Sequence, residues 1–331
     1  MKRVELGDGL TVSALGYGAM GLADVYGPAE DTESLATLHH AVDAGVTLID
    51  TADVYGAGRN EELVGRLLAG RRDEVTLATK FGIVTDGEWP AEMRQRGDVA
   101  YVRQACDASL RRLGTDVIDL YYLHRRDVSV PLAETVGAMA ELVRAGKVRH
   151  LGLSEVTAGE LREAYAVHPI AAVQSEWSLW SRDVERAVVP AAVELGVGFV
   201  PYSPLGRGFL TGTLDREAIA GDWRSGLSRF RGEAYDRNQA VVAAVRGVAA
   251  EAGATPAQVA LAWLRLRGEQ LGLPVVPIPG TRRAARVDEN VASLGVRLDA
   301  DQLKLLDDLA AVVVGPRSDH RDPNWVSDTR E

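Results

Sequence analysis

Short apolar runs alternate with amphipathic helical patterns along almost the whole chain. Eight of these runs have the length and composition of parallel strands buried on both faces. They begin at Ala14, Thr47, Val75, Val117, Val148, Ala171, Gly198 and Pro274. Between them, apolar residues recur three, four and seven positions apart, as on a helix with one buried face. The alternation therefore predicts strand–helix units in succession.

The predicted helices are well marked. One carries Leu132, Val136, Met139 and Val143 on a single face. Glycines that favour the end of a helix stand just before three of the predicted strands, at Gly45, Gly146 and Gly196. Eight such units close naturally into a (β/α)8 TIM barrel, for which about 250 residues is typical. The chain has 331 residues, so the excess must lie in insertions.

Four additions to the barrel are expected within one domain, residues 1–331. Residues 4–13 alternate around a Gly-Asp-Gly turn and predict an N-terminal β-hairpin. Residues 206–230, after strand seven, are rich in glycine and arginine and read as a long loop, which in compact domains is usually functional or disordered. Residues 299–310 predict an extra helix, and residues 314–331 a polar tail.

Gly16, Gly18 and Gly21 spell a literal G-x-G-x-x-G. A dinucleotide-binding turn needs a strand before it, a helix directly after it and an acidic residue about 20 positions on. Here a hairpin precedes the glycines and a loop follows them, so the Rossmann interpretation is rejected. The glycines are instead placed in the first barrel strand and its exit, where small residues permit close approach of a cofactor or of neighbouring strands.

Charge and composition narrow the function. The net charge of −10 comes from interspersed acidic residues, which argues against nucleic acid or an anionic membrane as the main partner. The N-terminus lacks the apolar core of a signal peptide, and no apolar run approaches the roughly 20 residues of a membrane helix, so a cytoplasmic location is expected. The single cysteine, Cys106, lies on an apolar helical stripe and is read as a core thiol.

Polar residues stand at the ends of three adjacent predicted strands. Asp50 ends strand two and Tyr55 follows five residues later, Lys80 ends strand three, and His124 ends strand four. Each alone has an ordinary structural explanation, but carboxyl ends of barrel strands share one face, so the four should converge. Burial of Asp50 and Lys80 there is costly unless they pair.

This set suits the reduction of a carbonyl group. A phenol is a weak acid at neutral pH, and a nearby ammonium such as Lys80 should lower the pKa of Tyr55. Asp50 would hold Lys80 in place, while His124 would donate a hydrogen bond to the substrate oxygen. No side chain can supply a hydride, and no metal-ligand motif is visible, so a cofactor must carry the electrons and no metal is expected.

Seven motifs in order now show a resemblance to the aldo-keto reductases, over residues 4 to about 309. They are L-I-D-T-A-D-V-Y-G, A-T-K-F-G, L-Y-Y-L-H, G-K-V-R-H-L-G-L-S-E, V-Q-S-E-W-S, P-Y-S-P-L-G-R-G and I-P-G-T-R-R-A-A-R-V-D-E-N. The family's catalytic residues fall on Asp50, Tyr55, Lys80 and His124. The resemblance, to a bacterial-type branch, implies NADPH (NADP+) as cofactor and a small-molecule carbonyl substrate, and leaves the oligomeric state open.

The resemblance also implies a cofactor path. Ser154 and Gln174 would hold the carboxamide of the nicotinamide, and Tyr202 would stack on its ring. Further residues would contact the phosphates and the adenine. The further residues assigned to this path are Ser203, Leu205, Arg207, Ile278, Gly280, Thr281, Arg282, Arg286, Glu289 and Asn290. Met20 and Gly21 are assigned either to the nicotinamide or to packing in the barrel floor.

Two departures from the family pattern concern cofactor binding. Gly280 stands where many members have lysine, so Arg282 or Arg283 must supply that cation to the 2'-phosphate. Glu155 stands where the common pair has asparagine, and no role is assigned to it.

The sequence indicates the residues that would contact the substrate less specifically than those that would bind the cofactor. Tyr26, Trp89 and Trp180 are expected to form an apolar substrate wall, with structural aromatics in loops as the alternative. Two other functions stay open. One is a cofactor-binding regulatory subunit resembling the β subunits of potassium channels, and the other is a sugar or polyketide tailoring reductase of narrow specificity.

Overall fold

The computed structural model describes residues 1–85 and 92–331. In chain order its strands are β1 (Arg3–Glu5), β2 (Thr11–Ser13), β3 (Tyr17–Gly18), β4 (Leu48–Asp50), β5 (Thr76–Phe81), β6 (Ile83–Thr85), β7 (Met93–Gln95), β8 (Ile118–Leu123), β9 (Val148–Ser154), β10 (Ala172–Glu176) and β11 (Gly198–Tyr202). Two antiparallel hairpins, β1–β2 and β6–β7, accompany a seven-stranded parallel sheet in the order β11–β10–β9–β8–β5–β4–β3. The predicted (β/α)8 barrel is confirmed.

The helices surround this sheet. They are α1 (Asp31–Asp43), α2 (Arg59–Arg71), α3 (Val99–Leu113), α4 (Leu132–Arg144), α5 (Ala158–Val167), α6 (Val188–Leu195), α7 (Arg216–Ile219), α8 (Gly232–Ala252), α9 (Pro256–Leu271), α10 (Ala284–Ala292) and α11 (Ala300–Asp308). Leu132, Val136 and Met139 are buried on the inner face of α4, as their spacing predicts. Gly196 ends α6 in the left-handed conformation, with φ 67°.

The eighth predicted run closes the barrel without forming a regular strand. On one side, Val276 and Ile278 donate backbone hydrogen bonds to Phe199 and Pro201 of β11. On the other side, the carbonyls of Pro277 and Pro279 accept from Gly16 and Gly18. Proline has no N–H, so residues 277 and 279 cannot donate a backbone hydrogen bond to the segment that contains Gly16 and β3. The ladder on that side is therefore only half formed.

The predicted N-terminal hairpin plugs the bottom of the barrel. Its turn residues Asp8 and Gly9 both have positive φ, as the turn of a two-residue hairpin requires. Leu6, Leu10 and Val12 are buried among the side chains that fill the barrel interior. This plug closes the N-terminal end, so the open end of the barrel is the one where the carboxyl ends of the strands lie.

The insertions are more ordered than their composition suggests. The segment after β11 contains the short helix α7 and several single helical turns. The extra helix forms as α11, capped by Asp299. The C-terminal segment, polar in composition, nevertheless buries Arg317, Trp325 and Ser327. In residues 1–85 and 92–331, no helix has both the length and the apolar character needed to cross a membrane.

The first two glycines of the G-x-G-x-x-G sequence, Gly16 and Gly18, permit barrel closure. A Cβ at Gly18 would lie 2.7 Å from the carbonyl oxygen of Ile278, and one at Gly16 would lie 2.8 Å from the Ile278 side chain. A Cβ at Gly280 would lie 2.5 Å from the carbonyl oxygen of Gly18. Since Gly18 has φ −87°, its lack of a side chain is required by space rather than by backbone conformation. The close neighbour is the eighth barrel segment.

We expect Gly18→Ala to lower the free energy of unfolding by about 1–3 kcal/mol, because the added methyl group meets backbone that cannot rotate away. Gly21→Ala is the matched control, since a Cβ there meets only Tyr26, at 3.8 Å. Urea denaturation of the two variants measures the difference. Equal stability of both would contradict this explanation of barrel closure.

Candidate active site

A cavity of about 780 Å³ opens at the carboxyl ends of the barrel strands. Its floor contains Asp50, Tyr55, His124 and Gln174, which come from or directly follow β4, β8 and β10. The segment after β11 and the C-terminal segment form its walls. Three of the four predicted catalytic residues therefore line one cavity, and the fourth, Lys80, lies directly beneath it.

Lys80 and Asp50 form a buried ion pair. Lys80 is 0% exposed, and its Nζ donates to Asp50 Oδ1 and, at 2.8 Å, to the carbonyl oxygen of Thr51. Gln174 Nε2 donates to the other carboxylate oxygen at 2.9 Å. Burial lowers the pKa of Lys80, and the Asp50 carboxylate opposes that shift. Each charge thus has its partner, which is the condition for burying both.

A tight left-handed turn aims Tyr55 into the cavity. After β4 the chain continues along β5, where the backbone N–H of Asp53 donates to the Lys80 carbonyl at 3.1 Å. Gly56 (φ 56°) and Ala57 (φ 53°) then reverse the chain, and α2 follows. The Tyr55 ring lies with its centroid 5.2 Å from Lys80 Nζ and meets the His124 ring edge-on at 5.8 Å.

The electrostatics of Tyr55 correct one expectation. Burial and the Asp50 carboxylate raise the pKa of Tyr55 above its usual range, and Arg125 is the cation that opposes them. The expected lowering by Lys80 does not prevail, because the charge of this lysine is balanced by Asp50. Tyr55 is therefore a protonated phenol at neutral pH, able to donate.

His124 is a neutral imidazole. Burial lowers the pKa of His124 well below its usual range, and the cations Arg125 and Lys80 lower it further. Its Nδ1 is buried and has no hydrogen-bond partner in the part of the chain that the structure describes. A neutral ring can donate a hydrogen bond from one nitrogen without carrying a charge that must be buried.

Arg125 is a cavity residue that sequence reasoning missed. It is 7% exposed and lines the cavity next to His124. Its Nη1 donates to the His124 carbonyl at 2.7 Å and to Ser154 Oγ at 3.1 Å. Two arginines follow His124 directly, and only the structure shows which enters the cavity: Arg126 instead bonds Glu160 at 2.6 Å.

Most of the predicted cofactor residues lie along the same cavity. Those that line it are Met20, Gly21, Gln174, Tyr202, Ser203, Leu205, Arg207, Ile278, Gly280, Thr281, Arg282 and Arg286. Three others lie outside its wall. Ser154 is buried behind Arg125, and on α10 the carbonyl of Glu289 accepts from Gln258 at 3.2 Å while Asn290 is buried. The cofactor roles of all these residues, inside and outside the cavity wall, stay predictions.

One rim of the cavity is strongly cationic. Arg282, Arg283 and Arg286 line it around the start of α10, and none has a carboxylate oxygen within 4.0 Å among the described residues. Arg282 is fixed in place by the backbone carbonyls of Gly27 at 2.9 Å and Tyr26 at 3.1 Å. Unpaired guanidinium groups beside a helix N-terminus favour an anion, above all a phosphate.

The aromatic wall differs from the expected one. Tyr26 lines the cavity, with its ring centroid 6.0 Å from that of Trp223. Trp180 does not: it is 3% exposed and stacks on Phe209 at 4.7 Å, behind the turn at Gly206. Trp89 lies outside the described residues. Trp223 and Trp325 line the cavity, although the sequence analysis did not single them out. They belong to the segment after β11 and to the C-terminal segment, which form the cavity walls.

Glu155 fastens the C-terminal segment to the barrel. It is 0% exposed and has a positive φ of 53°. Arg317 Nη1 and Nη2 donate to its two carboxylate oxygens, each at 2.9 Å, and the backbone N–H of Ser327 donates at 2.9 Å. Tyr202 donates to Oε1 at 2.9 Å. Burial raises the pKa of Glu155, but Arg317 outweighs it and holds the pKa below its usual range.

This anchor places Trp325 and His320 at the cavity. Their rings are stacked, with centroids 4.0 Å apart, and both line the cavity wall. Asp319 accepts from the backbone N–H of Ser228 at 2.7 Å and so joins this segment to the one after β11. The C-terminal segment is therefore part of the cavity and not a free tail.

We expect Glu155→Gln to loosen residues 317–331, because it leaves Arg317 buried without its main counter-charge. Loss of one partner of a buried ion pair costs about 3–5 kcal/mol. Hydrogen exchange should show faster exchange of the amides in this segment. Glu194→Gln is the control, since its partner Arg162 forms an exposed pair. Unchanged protection of the segment in Glu155→Gln would contradict the anchoring role.

Comparisons with known proteins agree with this geometry. The model of the Aldo/keto reductase family matches residues 14–311. The glycerol dehydrogenase AKR11B4 from Gluconobacter oxydans is 28% identical with a TM-score of 0.84, covering 96% of this chain and 98% of that one. The aldo-keto reductase AKR11C1 from Bacillus halodurans, in its holo form, is 28% identical with a TM-score of 0.75, covering 97% and 100%.

A thermostable aldo-keto reductase in complex with the inhibitor epalrestat is 30% identical with a TM-score of 0.74, covering 93% of this chain and 100% of that one. The family model spans the whole barrel, from just before β3 to just beyond α11. Barrel topology, the cavity at its mouth and the family match thus agree. The chain belongs to the aldo/keto reductase family of oxidoreductases.

Proposed function

We propose that the protein reduces aldehydes or ketones to alcohols with NADPH, with Tyr55 as the proton donor. The observation that carries this proposal is the meeting of Tyr55, neutral His124 and the Asp50–Lys80 pair in one cavity whose rim is cationic. When bound, a reduced nicotinamide supplies the hydride that no side chain can provide.

The residues fit such a cofactor. Arg282, Arg283 and Arg286 at the rim offer positive charge without a carboxylate partner among the described residues, which suits the 2'-phosphate. Tyr202 and Gln174 line the same cavity, and Gln174 bonds Asp50 in its floor. A nicotinamide ring could stack on Tyr202, and its amide could bond Gln174. Arg207, whose backbone has φ 56°, lines the same cavity and pairs with Glu176 at 3.2 Å.

Tyr55 and His124 would have different roles at the substrate oxygen: Tyr55 would donate a proton and His124 a hydrogen bond. The raised pKa of Tyr55 keeps its proton in place until negative charge develops on that oxygen, which then accepts it. His124 donates a hydrogen bond to the same oxygen as a neutral group, orienting the carbonyl and stabilising the developing charge. Asp50 and Lys80 act as positioning residues, because their mutual pairing fixes the floor on which Tyr55 rests.

We expect Tyr55→Phe to reduce turnover by roughly 10² to 10⁴ or more, because the proton donor is lost while the ring remains. Binding of NADPH should be nearly unchanged. Turnover is measured as NADPH consumption, and binding by fluorescence titration. Tyr165→Phe, on α5 outside the cavity, is the control. Loss of NADPH binding in Tyr55→Phe would refute the role assigned to the hydroxyl.

We expect Arg286→Ala to weaken NADPH by about tenfold while leaving NADH nearly unchanged, because only NADPH carries the 2'-phosphate. Equilibrium binding of both cofactors tests this. Arg297→Ala, an exposed arginine outside the cavity, is the matched control. Equal weakening of both cofactors by Arg286→Ala would contradict the assignment of this rim to the phosphate.

A further inference from the structure

Arg125 is a buried cation at the reactive end of the cavity. Arg125 is 7% exposed and directly follows His124 in the chain. Its charge acts on both reacting groups, since it lowers the pKa of Tyr55 and that of His124. Its guanidinium donates to the His124 carbonyl at 2.7 Å and lines the same cavity as Tyr55 and His124.

This cation has no carboxylate partner. Among the residues that the structure describes, no carboxylate oxygen lies within 4.0 Å of its guanidinium. Its hydrogen bonds from Nη1 go to neutral oxygens, those of His124 and Ser154, and its Nε is buried without a partner. Arginine offers five N–H donors and stays charged, so a buried guanidinium held in this way is under-satisfied.

The neighbouring carboxylates are engaged elsewhere. Both oxygens of Glu155 accept from Arg317 at 2.9 Å. Glu176 pairs with Arg207 at 3.2 Å and accepts from Ser181 at 2.7 Å. Neither carboxylate lies within 4.0 Å of Arg125, although the charge of Glu155 acts on Arg125 from a longer distance. The N–H donors that Arg125 does not use within the described residues are therefore available to an anion from outside the chain.

Two aromatic rings pack against the guanidinium. The Trp325 ring centroid lies 5.3 Å from Arg125 Cζ, and that of Tyr202 lies 6.0 Å away. Cation–π contacts of this kind hold an arginine in one orientation while leaving its in-plane N–H groups free to bind. Arg125, Trp325 and Tyr202 all line the same cavity.

We propose that Arg125 binds a carboxylate of the substrate, so that the preferred substrates are aldehydes or ketones that also carry a carboxylate group. The inference rests on the proposed carbonyl reduction and assigns its substrate class. We assign the cationic rim at the start of α10 to the cofactor phosphate, and Arg125 comes instead from just beyond the end of β8, so it would form a second anion site in the same cavity. A planar guanidinium pairs with a carboxylate through two parallel hydrogen bonds.

The test compares oxo-acids with their primary amides, which match them in shape but lack the charge. The pairs are para-carboxybenzaldehyde, succinic semialdehyde and phenylglyoxylate, each with its amide. The quantity measured is the ratio of kcat/KM for acid to kcat/KM for amide with NADPH. We expect one or more pairs to favour the acid by about 10- to 100-fold, the size of a buried charge-assisted contact.

Arg125→Gln should bring that ratio close to one, and Arg125→Lys should retain part of it. Arg126→Gln, whose parent residue bonds Glu160 outside the cavity, should keep the wild-type ratio. The ratio cancels any general loss of turnover in a variant. No preference for the acid in any pair, or a preference that Arg125→Gln leaves intact, would overturn the proposal. If Arg125 bound the cofactor instead of the substrate, the preference for the acid would persist in Arg125→Gln.

Binding of the alcohol products separates this proposal from the proposed reaction. Tryptophan fluorescence titration with para-(hydroxymethyl)benzoate and its amide, in the presence of NADP+, reports contact near Trp325 without turnover. Tighter binding of the acid in wild type than in Arg125→Gln supports the anion site even if no carbonyl is reduced. Equal binding of acid and amide by wild type counts against the site even if carbonyls are reduced.

Discussion

The buried ion pair between Lys80 and Asp50 is the constraint on which the active end of the barrel depends. Two neighbouring strands each carry a charge at or near their carboxyl end, and both charged side chains are buried. Removal of two ions from water costs several kcal/mol each unless they satisfy each other. Gln174 and the Thr51 carbonyl complete the hydrogen bonds of the pair. The result is a rigid, nearly neutral floor beneath Tyr55.

Because that floor is neutral, the cavity's charge is set by its arginines. Three stand at the rim near α10, and Arg125 stands beside His124. The other buried arginines around the mouth are matched by carboxylates, as Arg317 is by Glu155 and Arg224 by Asp222. Among the described residues, the cavity therefore offers positive charge without a carboxylate partner at these two places. A phosphate-bearing cofactor and an anionic carbonyl compound would complement these two places.

Sequence patterns predicted the barrel and the convergence of Asp50, Tyr55, Lys80 and His124, because carboxyl ends of parallel strands meet on one face whatever the loops do. Features set by long-range packing were not accessible. The eighth strand is irregular because prolines at 277 and 279 lack donors, and whether the run still closes the barrel depends on Gly16 and Gly18 opposite. Glu155 finds its partner Arg317 far along the chain, where no local spacing connects them. Trp180 turned out to be buried because its surroundings depend on the turn at Gly206.

Transfer of label from the cofactor to a carbonyl tests the central claim most directly. NADPH that carries deuterium at the hydride-donating carbon is incubated with the protein and a panel of aromatic, aliphatic and dicarbonyl substrates, and the products are examined by mass spectrometry. If the cavity reduces carbonyls, each equivalent of NADPH oxidised should give one alcohol with deuterium on the carbinol carbon. Tight binding of NADPH with no label in any alcohol would contradict carbonyl reduction and favour a protein that holds the cofactor for a partner.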